Sequence, residues 1–388
     1  MRPMLLQRAA GAFALFAMLA ATAHAAPAPQ AVGAALAAAV GAEGTGTLTF
    51  DSATGSGDTV TLSAVKIVSP HGDETVTIPA IVLTGVADRP AGGYSAASLT
   101  FDKGSGTARG RTITWATGVL SDVTIPTPDE MKGTTALRPF RTMTVANISV
   151  TGKDFATPAT IASVDAAFGD VVGDAPSSIH VHVAKIDLPL DALGNGMAGT
   201  LAGMLAYKSV QADLTIDSAY DAAAHTGEIK ALTLDVANVG KLTLAVKASE
   251  VSPAAIAAKA AVQATQPAGQ PQTTHSGVKL DSVTLRLDNA GVVERLLDLQ
   301  AQTLGGSRDD VRQMVLTGAL PFALSFVDSP AFRDQFTAAL TTFLKDPRSL
   351  TIRLAPGAPV AFGAVLHTAL HKPGALPDLL SASVEANN

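Results

Sequence analysis

The chain has 388 residues, with 27 Lys+Arg, 33 Asp+Glu, a formal net charge of −6 and no cysteine. Charged residues make up 15% and the apolar class 47%, which excludes a charge-rich disordered chain; an acidic balance without a basic block argues against nucleic-acid binding, where clustered Lys and Arg must meet phosphate. The missing cysteine removes disulfide frameworks, thiolate metal sites, Cys nucleophiles and lipid attachment through sulfur.

Residues 1–25 read as a secretory signal peptide. Arg2 and Arg8 form the positive start, Gly11–Ala21 the apolar run, and Ala23-His24-Ala25 an A-x-A cleavage site. The run is shorter than the ~20 apolar residues a membrane span takes. The expected product therefore has no transmembrane anchor and is periplasmic.

Gln30 to Val40 reads as a short Ala-rich helix stopped by Gly41 and Gly44. From about Thr45 to Val251 the signal is period two. Leu48 and Phe50, Val60 and Leu62, Val76 and Ile78, and Met143 and Val145 each alternate with Thr, Ser or another polar residue, the pattern of half-buried strands. Polar turns at Ser69–Asp73, Asp88–Gly93 and Asp102–Gly106 separate them. Short spacing with such turns predicts an antiparallel meander rather than βαβ units. Pro79, inside a strand, predicts an edge position or a bulge.

The alternation slips by one residue along several strands. Val60 and Leu62 give way to Val65 and Ile67; Met143 and Val145 to Ile148 and Val150; Ile179, Val181 and Val183 to Ile186 and Leu188. A step of three flips the apolar face unless the backbone absorbs a residue there. Such devices bend a sheet. The fold class that follows is α+β, mainly β: a long curved antiparallel sheet with a C-terminal helical segment packed on it. The slips fit equally with strands crossing between the two flat sheets of a sandwich.

Pro189 to Tyr207 interrupts the β pattern with a helix or apolar loop, and Asn238–Gly240 reads as a hairpin tip. Pro253 to Gln266 predicts another Ala-rich helix, and Thr265 to Gly277 a flexible linker. The expected organisation is thus a signal peptide (1–25), a β-rich domain (26–252), a helix and linker (253–277) and an α+β region (278–388). In the last part a strand at Val278–Leu287 precedes three helices. The first ends at Gly305-Gly306. The second is capped by Ser307 with Asp310 and runs to about Leu316. The third opens at Ser329-Pro330. A strand at Leu350–Leu354, a helix at Leu366–Leu370 and a strand at Leu380–Val384 complete it. The third helix carries an apolar stripe, Phe332, Phe336, Leu340 and Phe343, and these four are the candidate ligand-lining residues.

The chemical motifs are weak. Gly194-Asn-Gly-Met-Ala-Gly199 matches G-x-G-x-x-G, which needs a parallel βαβ setting; a Gly-rich turn into a helix fits better. His180 and His182 share one strand face without a sequence-local third ligand, so the expectation is no metal site and no cofactor. His367 and His371 lack the Glu of H-E-x-x-H. Asp73-Glu74, Asp129-Glu130 and Asp309-Asp310 belong to turns or a helix start. No G-x-S-x-G or S-x-x-K nucleophile motif stands out, and Trp115 reads as core.

The segment Leu287-Asp-Asn-Ala-Gly-Val-Val-Glu-Arg-Leu-Leu297, with Leu344-Lys-Asp-Pro-Arg-Ser-Leu-Thr-Ile-Arg-Leu-Ala-Pro356 and Pro359-Val360, resembles uncharacterised exported proteins of Gram-negative bacteria. The alternating Leu and Val around Gly240, from Asp213 to Val246, loosely resemble the β-rich envelope proteins of the AsmA-like kind. That resemblance implies a role in lipid movement across the envelope. The expectation is a non-enzymatic envelope protein whose apolar trough takes a lipid or another envelope protein. The alternatives are a structural or interaction module without ligand, and a hydrolase whose site is assembled only in space. Oligomeric state is not fixed by the sequence.

Overall fold

The computed structural model describes residues 27–42, 46–108, 110–132, 137–153, 155–173, 175–194, 196–252 and 277–388. The expected signal peptide, the helix that the sequence predicts at 253–266 and nearly all of the expected linker lie outside the described residues.

The chain opens with α1 (Pro29–Ala42), somewhat longer than the sequence predicts. Nine strands follow: β1 (Thr47–Thr49), β2 (Ser52–Ser56), β3 (Thr59–Val68), β4 (Glu74–Thr84), β5 (Ala87–Asp88), β6 (Tyr94–Thr100), β7 (Ser105–Ala108), β8 (Arg111–Thr114) and β9 (Thr117–Ile125). After α2 (Pro128–Lys132) come β10 (Thr142–Gly152), β11 (Phe155–Phe168), the small hairpin of β12 (Val171–Val172) and β13 (Ala175–Pro176), and β14 (Ser178–Pro189). A 3₁₀ turn and α3 (Met197–Met204) lead to β15 (Ser209–Asp221), β16 (Thr226–Val236), β17 (Gly240–Ser249) and β18 (Lys279–Asn289). The β16–β17 hairpin turns at Asn238 and Gly240, both at positive φ.

The C-terminal part comprises α4 (Val292–Leu304), α5 (Arg308–Met314), a π-helical turn (Val315–Ala319), α6 (Leu320–Leu324) and α7 (Pro330–Lys345). Then come β19 (Ser349–Leu354), β20 (Val360–Ala361), α8 (Phe362–His371), α9 (Leu376–Leu379) and β21 (Ala382–Ala386). Gly305 ends α4 in the left-handed region, and Ser307 and Asp310 form a full capping box on α5.

Among the described residues, 19 strands form one sheet. Its ladders are antiparallel and run from β1 and β2, both beside β3, at one edge to β21 at the other. β4 pairs with both β6 and β7, β6 with β9, and β8 and β9 both with β10, after which neighbours follow chain order to β19, with the β12–β13 hairpin left out and β20 beside β18. β17 pairs with β18 across residues 250–278, so the sheet runs unbroken into the C-terminal part. One layer, not a sandwich, is therefore the solution. The slips explain how it bends. Ala64, Asn147 and Lys185, the residues at the three steps, all have left-handed backbone with φ of 53°, 55° and 50°. Each passes the apolar side chains from one alternation to the next without turning them to the other face. Asp122 does the same in β9 with φ 48°. The Lys185 step shows as a register shift in the β14–β15 ladder, and further shifts occur in the β10–β11, β15–β16, β16–β17 and β17–β18 ladders.

Pro79 lies in an interior strand, not at an edge. It falls in the gap between the ladder of β4 with β6 (from Val82) and that with β7 (up to Thr77). Its missing N–H therefore removes no ladder bond on that side.

The densest core is N-terminal. Val32 of α1 belongs to one buried cluster with Leu48, Val60, Leu62, Val65, Ile78, Ile81, Leu83, Leu99, Val123 and Ile125. Trp115 joins this cluster as expected: its indole N–H donates to the Phe101 carbonyl at 2.8 Å, and a Cβ at Gly104 would lie 1.9 Å from its ring. At the far end α7 packs on β21 and β19. Val384 is buried there, as are Ala339, Phe343 and Leu344 of α7.

Candidate functional site

Directly opposed residues of antiparallel strands share a face, so the registers trace a surface. One row runs Val60, Leu83, Leu99, Leu120, Met143, Ala166, Val181, Ile216, Leu232, Leu244, Leu285, Ile352, Val384. It crosses the whole sheet from β3 to β21 without a polar residue. A second row runs Val145, Val164, Val183, Leu214, Leu234, Leu242, Leu287, Leu350. The ribbon thus has one continuous apolar face.

The cover on that face is uneven. α1 packs on β1, β2, β3 and β9, and α7 on the last strands. Between β10 and β17 the only buried residues on this face among the described residues are small ones: Ala159, Ala166, Ala212 and Gly240. Leu234 and Leu242 are 40% and 42% exposed. The stretch from β10 to β18 spans seven neighbouring strands, or about 29 Å at ~4.8 Å per spacing. That is close to the ~30 Å hydrocarbon thickness of a bilayer.

The opposite face is polar. His180 and His182 point there, and the fold brings them acids from strands distant in sequence. His180 Nδ1 lies 2.5 Å from Asp217 Oδ1, and His182 Nε2 lies 3.8 Å from Asp213 Oδ1. Hydrogen bonds from Thr144 and Ser163 hold the Asp165 carboxyl below the usual range, and His182 and His180 add to this. These His–Asp partners come from the next strand of the meander, so no local spacing announces them. Among the described residues no group of three or more His, Asp or Glu is placed to hold a metal ion.

A cleft of about 760 Å³ lies along the crease that the left-handed residues make. Its polar members Ser149, Thr160, Asp187 and Gln211 are successive register partners on the polar face. The Asp187 carboxylate accepts from Gln211 at 3.4 Å through one oxygen, while the other is buried without a hydrogen-bond partner.

Phe332, Phe336, Leu340 and Phe343 lie on α7, against the end of the sheet. Phe343 is buried and the other three are half-buried; the Phe332 and Phe336 rings meet at a tilt of 44°, 5.8 Å between centroids. The stripe therefore sits at the C-terminal end of the apolar face, not over its middle. The Gly194–Gly199 segment leads into α3, which Met197 begins, and α3 lies between the antiparallel strands β14 and β15 rather than in a βαβ unit. His367 and His371 stack on α8 at 4.3 Å. The carboxylate pairs divide: Glu130 binds Arg89, Asp309 binds Arg312, Asp310 caps α5, and Asp73 accepts from Ser69. Among the described residues no helix is long and apolar enough to cross a membrane.

A family model described as an uncharacterized protein matches residues 233–387. That stretch runs from β16 to the end of β21 and contains the C-terminal helices. No curated protein and no solved structure matches the chain.

Proposed function

We propose that this protein is a non-enzymatic component of the bacterial periplasm that holds the acyl chains of a lipid on the open middle of its apolar face. The cross-strand row from Met143 to Leu285, left without cover, carries the reading. That row is half-buried apart from the buried Ala166, and Leu234 and Leu242 in the row beside it are about two-fifths exposed; a contiguous, incompletely covered apolar surface of this length marks a binding site rather than ordinary surface. Acyl chains suit it because the row offers no charge and no hydrogen-bonding side chain, only Val, Leu, Ile, Ala and Met. The signal-like start and the likeness of 213–246 to AsmA-like envelope proteins agree with this place and role.

The test is uptake by the full mature chain, delipidated by unfolding and refolding. A fluorescent phospholipid or fatty acid should bind saturably. Replacing both Leu234 and Leu242 by Asp should weaken binding more than about tenfold, since each change puts a charge under the chain, while the melting temperature stays near that of the parent. Absence of saturable uptake by the unmodified protein overturns the proposal.

A further inference from the structure

A second, smaller space lies at the boundary between the covered and the open parts of the apolar face. It is a cavity of about 350 Å³ between α1, α2 and the sheet, lined chiefly by Leu36, Val40, Leu120, Val123, Met131 and Phe140. We infer that this chamber receives the methyl end of a single long acyl chain whose remainder lies along the open face, an inference that rests on the lipid reading above.

The space is a half-open apolar recess beside a packed core, and such a recess favours an occupant that takes its apolar side chains out of water. Dry cavities lined by aliphatic and aromatic side chains take apolar guests, and this volume falls within the range of small-molecule sites. The helix geometry leaves the space open. α1 lies tight on the sheet at Gly33, where a Cβ would come within 2.7 Å of the Phe50 ring and 2.9 Å of Leu62. Further along, Leu36, Ala39 and Val40 form one wall of the cavity.

The one charged group on its wall is already used. Both Glu130 oxygens receive the Arg89 guanidinium, at 2.9 and 3.0 Å, and Oε2 also accepts the Thr127 N–H at 2.9 Å. Apart from Thr124, the other described side chains of the wall are apolar, so the chamber suits the plain end of a hydrocarbon tail. It is also in line with the open face, because Leu120 in its wall is the register partner of Met143, the first residue of the uncovered stretch.

Photocrosslinking tests this on the unaltered mature protein with two palmitic acid probes, one with its diazirine at the terminal carbons and one near the carboxylate. The terminal probe should label α1 and β9, and the carboxyl-proximal probe β11 to β15, about 10–19 Å away at ~4.8 Å per strand spacing. Labelling of β11 to β18 alone by both probes overturns the chamber but leaves the lipid reading standing; absence of saturable labelling overturns both. Ala39→Phe, which fills the cavity, should weaken binding of a 16-carbon fatty acid about tenfold and leave an 8-carbon one unchanged. Equal losses for both lengths, or no loss for either, would also overturn the chamber.

Discussion

The two ends of the same face behave differently. In the N-terminal part, Leu62 and Leu83 are 0% exposed beneath α1; in the middle, Leu234 and Leu242 are about two-fifths exposed. Both pairs sit on alternating strands, in the same kind of antiparallel ladder, on the same side of one sheet. The alternation decides only which side of the layer a residue occupies. What lies across from it decides whether it becomes core. The N-terminal part closes on itself as a small hydrophobic domain, and the middle is a half-finished core awaiting a second layer.

That contrast predicts unequal mutational costs. Leu83→Ala should destabilise the protein by about 2–5 kcal/mol, since it removes a fully buried side chain and leaves a cavity. Leu234→Ala should cost less than about 1 kcal/mol, since much of its surface never leaves water. Urea denaturation of the two variants measures the difference. Equal costs would mean that the middle is covered in solution.

Two glycines sharpen the same point. Ala normally stabilises a helix over Gly by about 1 kcal/mol. At Gly33 the added Cβ would press on Phe50 and on the fully buried Leu62, so Gly33→Ala should instead destabilise, by roughly 1–2 kcal/mol. Gly318 has open space around its Cβ position, and Gly318→Ala should stabilise by up to ~1 kcal/mol. Opposite shifts in melting temperature check both.

Much of this architecture is legible in the sequence, and the limit has a physical cause. The steps of three at Ala64, Asn147 and Lys185 mark the left-handed residues, because a slip in alternation is a local property of one strand. Whether such slips bend one layer or pass strands between two depends on the neighbours. Here Ala162 faces both Asn147 and Lys185 across the ladders, so the irregularities line up into one crease. Ends of helices follow the same rule. The capping box at Ser307 is legible, but the helical segment does not stop near Leu316. A π turn at Val315–Ala319 carries the chain on into α6, with Pro321 in the first turn, where its missing N–H is tolerated. The apolar stripe of α7 is legible as a stripe. Its docking place at the last strands is a tertiary fact that the 3.6-residue period does not contain, and the same holds for the His180–Asp217 and His182–Asp213 pairs.

The crease gives an effect confined to the middle. Lys185 sits at φ 50° in a strand, a conformation that β-branched residues adopt poorly. Lys185→Val should cost about 1–3 kcal/mol, and Lys185→Gly should be neutral or stabilising by up to ~1 kcal/mol. If valine is tolerated in thermal melts, the crease is not set by this backbone.

The smallest effect belongs to the covered end and depends on pH. The Arg89 guanidinium, aided by the Thr127 N–H, holds the Glu130 carboxyl below its usual range. A carboxylate with a depressed folded pKa binds its proton more readily when unfolded, so it stabilises the fold at neutral pH. That contribution is complete above the ordinary glutamate value of ~4.3 and fades as pH falls through the lower folded value. Glu130→Gln should therefore lower stability slightly at pH 7 and flatten the acid side of the stability curve. The loss should appear in melts that follow the N-terminal core, for example by the fluorescence of Trp115. An acid limb unchanged by the substitution would show that the ion pair beside the chamber does not hold α2 to the covered end of the sheet.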